Sequence, residues 1–182
     1  MHSGDCFLVP GPVRMSEACL QAMATPVMTA RGPEFRQVMA GLNSGLRYAF
    51  NLSPSKPEMK TQSWTGEDGY RVVVVSGSGT AAMEMVIANR FRSNDLVLVP
   101  TNGKFGERVA DICRQFCNVK HLNYEWGRSF DLYELEQQLE RGCYEALLIC
   151  HNETSTGITQ DAEAIAEMCE RHGVSFILDG IT

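Results

Sequence analysis

From about Tyr70 onward the chain alternates short, continuously apolar runs with stretches of helical periodicity, and this alternation limits the fold more than any other feature. The runs fall at residues 72–75, 96–99, 119–122, 146–150 and 175–178, with helical patterns at 80–90, 106–116, 132–140 and 162–171 between them. Asp131 and Asp161 stand where a helix wants a side-chain acceptor for its first free N–H groups. Gly173 stands where a last turn wants a left-handed residue. Parallel neighbours need a long crossover, so strands separated by helices predict βαβ units in a mainly parallel sheet. The runs are apolar throughout rather than alternating, as they must be when helices cover both faces. The predicted fold class is α/β, a three-layer α/β/α arrangement.

Residues 1–69 lack that alternation. Ser16 can cap a short helix at 17–23, and Pro33 can sit in the first turn of a longer one at 34–50. Residues 52–69 hold two prolines and two glycines and read as a polar loop. The expected division is a helical segment with a loop over 1–69, and an α/β part over 70–182.

A formal net charge of −6 argues against a nucleic-acid or anionic-membrane surface, where a basic excess is expected. No apolar run approaches the roughly 20 residues needed to span a bilayer. Residues 1–5 lack the basic start and apolar core of a secretory signal, so a cytoplasmic location is expected. The seven cysteines are scattered and form no C-x-x-C pair, which favours reduced, buried thiols over a metal site or disulfides.

The stretch "VVVVSGSGTAAMEM" sets a glycine-rich turn between an apolar run and a helix, where free N–H groups and the helix dipole suit an anion. Gly77, Gly79 and Ala82 fit a loose dinucleotide pattern, but the next run ends "LVLVPTNG" without the acidic residue that would hold a ribose. Phosphate binding survives that test and dinucleotide binding does not. Ligands of an open parallel sheet lie beyond the carboxyl ends of the strands, which here carry "SGSGT", "TNGKFG", "HNETSTG" and "DGIT". These supply phosphate donors, the ring of Phe105, the hydroxyls of Thr154, Ser155 and Thr156, and the carboxylate of Asp179. A phosphate, a flat aromatic ring and a ring nitrogen needing a counter-charge together describe pyridoxal 5'-phosphate. His151 and Glu153 read as residues that position the loop rather than as acid–base groups.

With "LVPGPVRM", "MTARGPEF", "SGSGTAAMEM", "TNGKFGERVADI", "HNETSTGI" and "FILDGIT" in order, the chain resembles the class V aminotransferases of fold type I from about Phe7 to its last residue. It is similar to the branch with alanine–glyoxylate, serine–pyruvate and 2-aminoethylphosphonate aminotransferases. The resemblance implies that Ser78, Gly79 and Thr80 bind the cofactor phosphate and that Phe105 stacks on the pyridine ring, where many relatives have tryptophan. It implies that Thr154 lies beside the phenolic oxygen, that Asp179 pairs with the ring nitrogen, and that Pro10, Gly11 and Pro12 line the substrate entrance. The implied reaction moves an amino group from a small amino acid or aminophosphonate to a 2-oxo acid, in a homodimer with active sites at the subunit interface.

The family's Schiff-base lysine and small C-terminal domain lie beyond the position matching Asp179. None of Lys56, Lys60, Lys104 and Lys120 matches that lysine. The resemblance thus implies a truncated or split aminotransferase that is inactive alone and completed by a C-terminal polypeptide. An inactive fragment, or a non-catalytic binding or interaction module of the same fold, is the alternative.

Overall fold

Apolar runs settle as strands only where a neighbour completes their backbone hydrogen bonds. A computed structural model describes residues 11, 13–53 and 69–181. They divide into two compact units, residues 13–76 and residues 1–12 with 77–182.

In the unit of residues 13–76, helix α1 (Glu17–Met23) is capped by Ser16, whose Oγ accepts from Cys19 N at 3.3 Å. Helix α2 (Pro33–Ala49) begins on Pro33, where a missing N–H leaves no bond unmade. Near its end the buried guanidinium of Arg47 donates to the carbonyls of Ser53 and Tyr70. The run at 72–75 was expected to be a strand and is not: only Arg71 makes an isolated bridge, and Val73 is 64% exposed. High β-propensity does not make a strand when no neighbour runs alongside it. Residues 54–68 of the expected polar loop lie outside the described residues, as do Cys6, Pro10, Pro12, Lys56 and Lys60.

The larger unit follows the expected alternation. Its elements are α3 (Gly79–Arg90), β1 (Leu96–Thr101), α4 (Lys104–Phe116), β2 (Asn118–Asn123), α5 (Leu132–Arg141) and β3 (Ala146–Cys150). There follow a two-stranded hairpin, β4 (Asn152–Glu153) and β5 (Ile158–Thr159), then α6 (Ala162–His172) and β6 (Ser175–Asp179). Four parallel strands form one sheet in the order β2-β1-β3-β6. Asp131 and Asp161 cap α5 and α6 as expected, and Gly173 closes α6 at φ 65°.

Because side chains alternate along a strand, β1 and β3 feed two separate cores. Val97, Val99, Ala146 and Leu148 pack with Ile87 of α3 and Val109, Ile112 and Cys113 of α4. Leu98, Leu147 and Ile149 pack on the other face with Leu135 and Leu139 of α5 and Ile165 and Met168 of α6. Each fully buried Leu or Ile stabilises the fold by ~1.5–3 kcal/mol, against ~1 kcal/mol for a helix cap. The two cores therefore hold the layers together, and the caps set where the helices begin.

From β1 to β2 the chain moves outward across one face through α4; from β2 to β3 and on to β6 it moves the opposite way across the other face. Reversing direction and face together leaves the crossover hand unchanged. It also makes the β1/β3 boundary the point where the winding switches, where open α/β sheets take their ligands. Pro100 opens that boundary further. The β1–β3 register covers Val97↔Ala146 and Leu98↔Leu147, and stops two residues before a proline with no N–H to give. By contrast β3 and β6 stay paired to their last residues, Cys150↔Asp179.

Candidate functional site

A cavity of about 280 Å³ lies at the carboxyl ends of β3 and β6 and the amino ends of α3 and α4. Gly79, Thr80, Phe105, Thr154 and Asp179 line it, together with Gly11, so five of the residues singled out as cofactor-binding face one space. Ser78 does not line it: its Oγ caps α3, accepting from Ala81 N at 3.2 Å. Pro10 and Pro12, which flank Gly11, lie outside the described residues.

Asp179 reaches the cavity because β6 runs in register with β3 to its end. One carboxylate oxygen accepts from Ile181 N at 3.2 Å. Beside it, Cys150 is buried, and its thiol is pushed up to about 12 by loss of solvent and then by the charges of Glu153 and Asp179. A thiol held that high stays uncharged at neutral pH. The backbone of His151 ties the two strand ends together: its N–H donates to Asp179 O at 3.0 Å, and its carbonyl accepts from Gln160 N at 2.8 Å.

Glu153 is the residue whose importance the sequence understates. It is 0% exposed, and its carboxylate accepts from Phe105 N at 3.0 Å and Gly106 N at 2.8 Å, the free donors of the first turn of α4. Ser155 Oγ donates to it at 2.6 Å and in turn accepts from Lys104 N at 2.9 Å. One buried anion at a helix amino end thus ties Phe105 to the loop bearing Thr154. Gly103 lets the two approach, since a Cβ there would collide with Glu153 Cγ and, at 2.6 Å, with its Cδ. The expected helix start at residue 106 moved to Lys104 for this reason: the acceptor comes from 47 residues away.

Arg108 also lines the cavity, although only its spacing along the helix marks it beforehand. It lies one turn past Phe105 on the same face of α4. Among the described residues no group of histidine, cysteine and carboxylate side chains could hold a metal ion, and no helix is long and apolar enough to cross a membrane.

Residues 48–182 match the model of the aminotransferase class-V family. Over its whole length the chain is 28% identical to the small subunit of a soluble hydrogenase from Synechococcus sp. (strain PCC 6716), of which it spans 44%. It is 29% identical to (S)-ureidoglycine–glyoxylate transaminase from Bacillus subtilis (strain 168), across 96% of this chain and 39% of that protein. The crystal structure of alanine–glyoxylate aminotransferase from Nostoc sp. superposes with a TM-score of 0.79 at 31% identity, covering 98% of this chain and 45% of that one. The chain therefore spans less than half the length of each of these relatives. Since the family match takes in most of the chain, the chain belongs to the class-V aminotransferase family.

Proposed function

We propose that this chain is the cofactor-holding part of a class-V aminotransferase with pyridoxal 5'-phosphate as its ligand. The observation that carries this reading is the cavity at the carboxyl ends of β3 and β6, which joins Thr80, Phe105, Thr154 and Asp179. The donor set fits a flat, phosphate-bearing, cationic ring. Thr80, Gly79 and Ser78 stand at the amino end of α3, where an anion is favoured. Phe105 offers a π-face with no N–H of its own. Asp179 offers a counter-charge that keeps a ring nitrogen protonated. The group, when bound, supplies an electron sink for the bond broken at the substrate's α-carbon. Thr154 contributes a hydroxyl beside the ring, and Gly11, with Pro10 and Pro12, the entrance.

The proposed reaction moves an amino group from a small amino acid or aminophosphonate to a 2-oxo acid. That chemistry also needs a lysine as Schiff-base partner and proton carrier. Neither Lys104 nor Lys120 lines the cavity, and Lys104 Nζ pairs with Glu107 at 3.6 Å. Among the described residues no lysine lines the cavity, and on this reading a complementing polypeptide supplies it. A second reading, a non-catalytic interaction module, draws support from β6, whose outer edge pairs with no strand among the described residues.

The test is binding of pyridoxal phosphate by the 182-residue chain, followed by borohydride reduction and peptide mapping. Saturable binding, weakened about tenfold in Asp179→Ala by loss of one charge-assisted contact, is expected, with no label on lysine. A stoichiometric phosphopyridoxyl group on Lys56, Lys60, Lys104 or Lys120 would overturn the account of the missing lysine. Absence of binding would leave the interaction module as the better reading.

A further inference from the structure

Among the described residues, Arg108 and Asp179 are the two charged side chains that line the cavity. Their neighbour Cys150 stays neutral, with its thiol raised to about 12. The space thus carries one cation and one anion, which orients any ligand bearing both. Arg108 Nη1 donates to Thr80 Oγ1 at 3.3 Å, a long contact, and its guanidinium carbon lies 5.2 Å from the centre of the Phe105 ring. Other arginines of this acidic chain have found carboxylates: Arg114 with Asp111 at 2.6 Å, Arg128 with Glu125 at 2.7 Å and Arg171 with Glu136 at 2.6 Å. Arg108 pairs with none among the described residues. Of its five N–H donors, one is engaged, and weakly.

We propose that Arg108 is the residue that grips the ligand's phosphate and makes the site select phosphorylated over unphosphorylated pyridoxal, a role that rests on the cofactor reading above. A phosphate reaching the Thr80 hydroxyl meets the Arg108 guanidinium at once, because the two already touch. A guanidinium presents paired donors to phosphate oxygens, a geometry that lysine's single ammonium cannot copy. The Phe105 ring packs against the planar cation and limits where it can swing. Asp179, at the other charged end, then takes the cationic part of the ring. Phosphate recognition and ring stacking are thereby joined on one helix, through Phe105 and Arg108.

The test compares the affinities of pyridoxal phosphate and pyridoxal for the wild-type chain, Arg108→Gln and Arg108→Lys, by equilibrium dialysis at two salt concentrations. Arg108→Gln is expected to lose about tenfold or more in affinity for pyridoxal phosphate, the scale of a charge-assisted pair, while pyridoxal binds as before. Arg108→Lys should fall between, and the salt dependence of phosphate-ligand binding should flatten in Arg108→Gln. Equal losses for both ligands, or unchanged affinity for pyridoxal phosphate, would overturn the assignment to Arg108 alone. A wild-type chain that binds neither ligand overturns the cofactor reading as well, so the two failures are told apart.

Discussion

His121 shows how one residue's protonation can be read from its partners. Its Nδ1 lies 3.1 Å from Arg114 Nη2, and a guanidinium only donates, so Nδ1 must accept. The proton then sits on Nε2, which donates to the buried Thr101 hydroxyl at 2.8 Å. Loss of solvent, then the Arg114 charge, holds the imidazole below its ordinary value of 6.5, with Glu107 and Asp111 pulling weakly the other way. The unfolded chain therefore binds more protons than the folded one as pH drops through this region, and stability falls with it. We expect stability measured by urea denaturation to be full above about pH 6.5 and to decline as pH falls through the folded-state value. His121→Gln should flatten that decline, and an unchanged slope would show that other groups control it. None of this was legible beforehand, because Arg114 and Thr101 meet His121 only once β2 lies beside β1 and α4.

At the scale of elements, the joint between α4 and the β4/β5 hairpin stands out. Glu153 is bound by two backbone N–H groups of α4 and by Ser155, and its charge faces the positive end of the helix. Glu153→Ala would leave those donors buried without an acceptor. The expected loss is roughly 2–4 kcal/mol in urea denaturation, the cost of orphaned buried polar groups. Glu153→Gln keeps one acceptor oxygen but turns N–H donors toward N–H donors, and should lose less. A change within about 0.5 kcal/mol for Glu153→Ala, the level of ordinary surface substitutions, would mean that water or another acceptor replaces it. The elements themselves were mostly legible: caps at Ser16, Asp131 and Asp161 and the left-handed Gly173 fell where local chemistry demands them. Residues 72–75 misled, since β-branched composition reports a willingness to pair and says nothing of whether a neighbour is present.

For the whole molecule, β6 is the exposed margin. Its outer edge has no partner strand among the described residues, and an apolar cavity of about 170 Å³ lies where α3 meets β3 and β6, lined by Met83, Val86, Leu148, Ile177, Leu178 and Ile181 among others. Ile181 is 63% exposed. Unpaired strand edges and contiguous apolar surface both favour association. We expect sedimentation velocity to show the chain self-associating as concentration rises; a monomer across the whole range would count against a homodimer and against docking at this edge. The sequence by itself determined the α/β class, the order of strands and helices in the larger unit, most helix ends and the family, because periodicity, caps and ordered motifs are local properties that survive without a third dimension. Tertiary structure alone decided that Glu153 belongs to α4, that Arg108 touches Thr80, that residues 72–75 form no strand, and that the β1/β3 boundary opens at Pro100. Each depends on groups distant in the chain meeting across the sheet, and such meetings are set by packing and register, which no local pattern encodes.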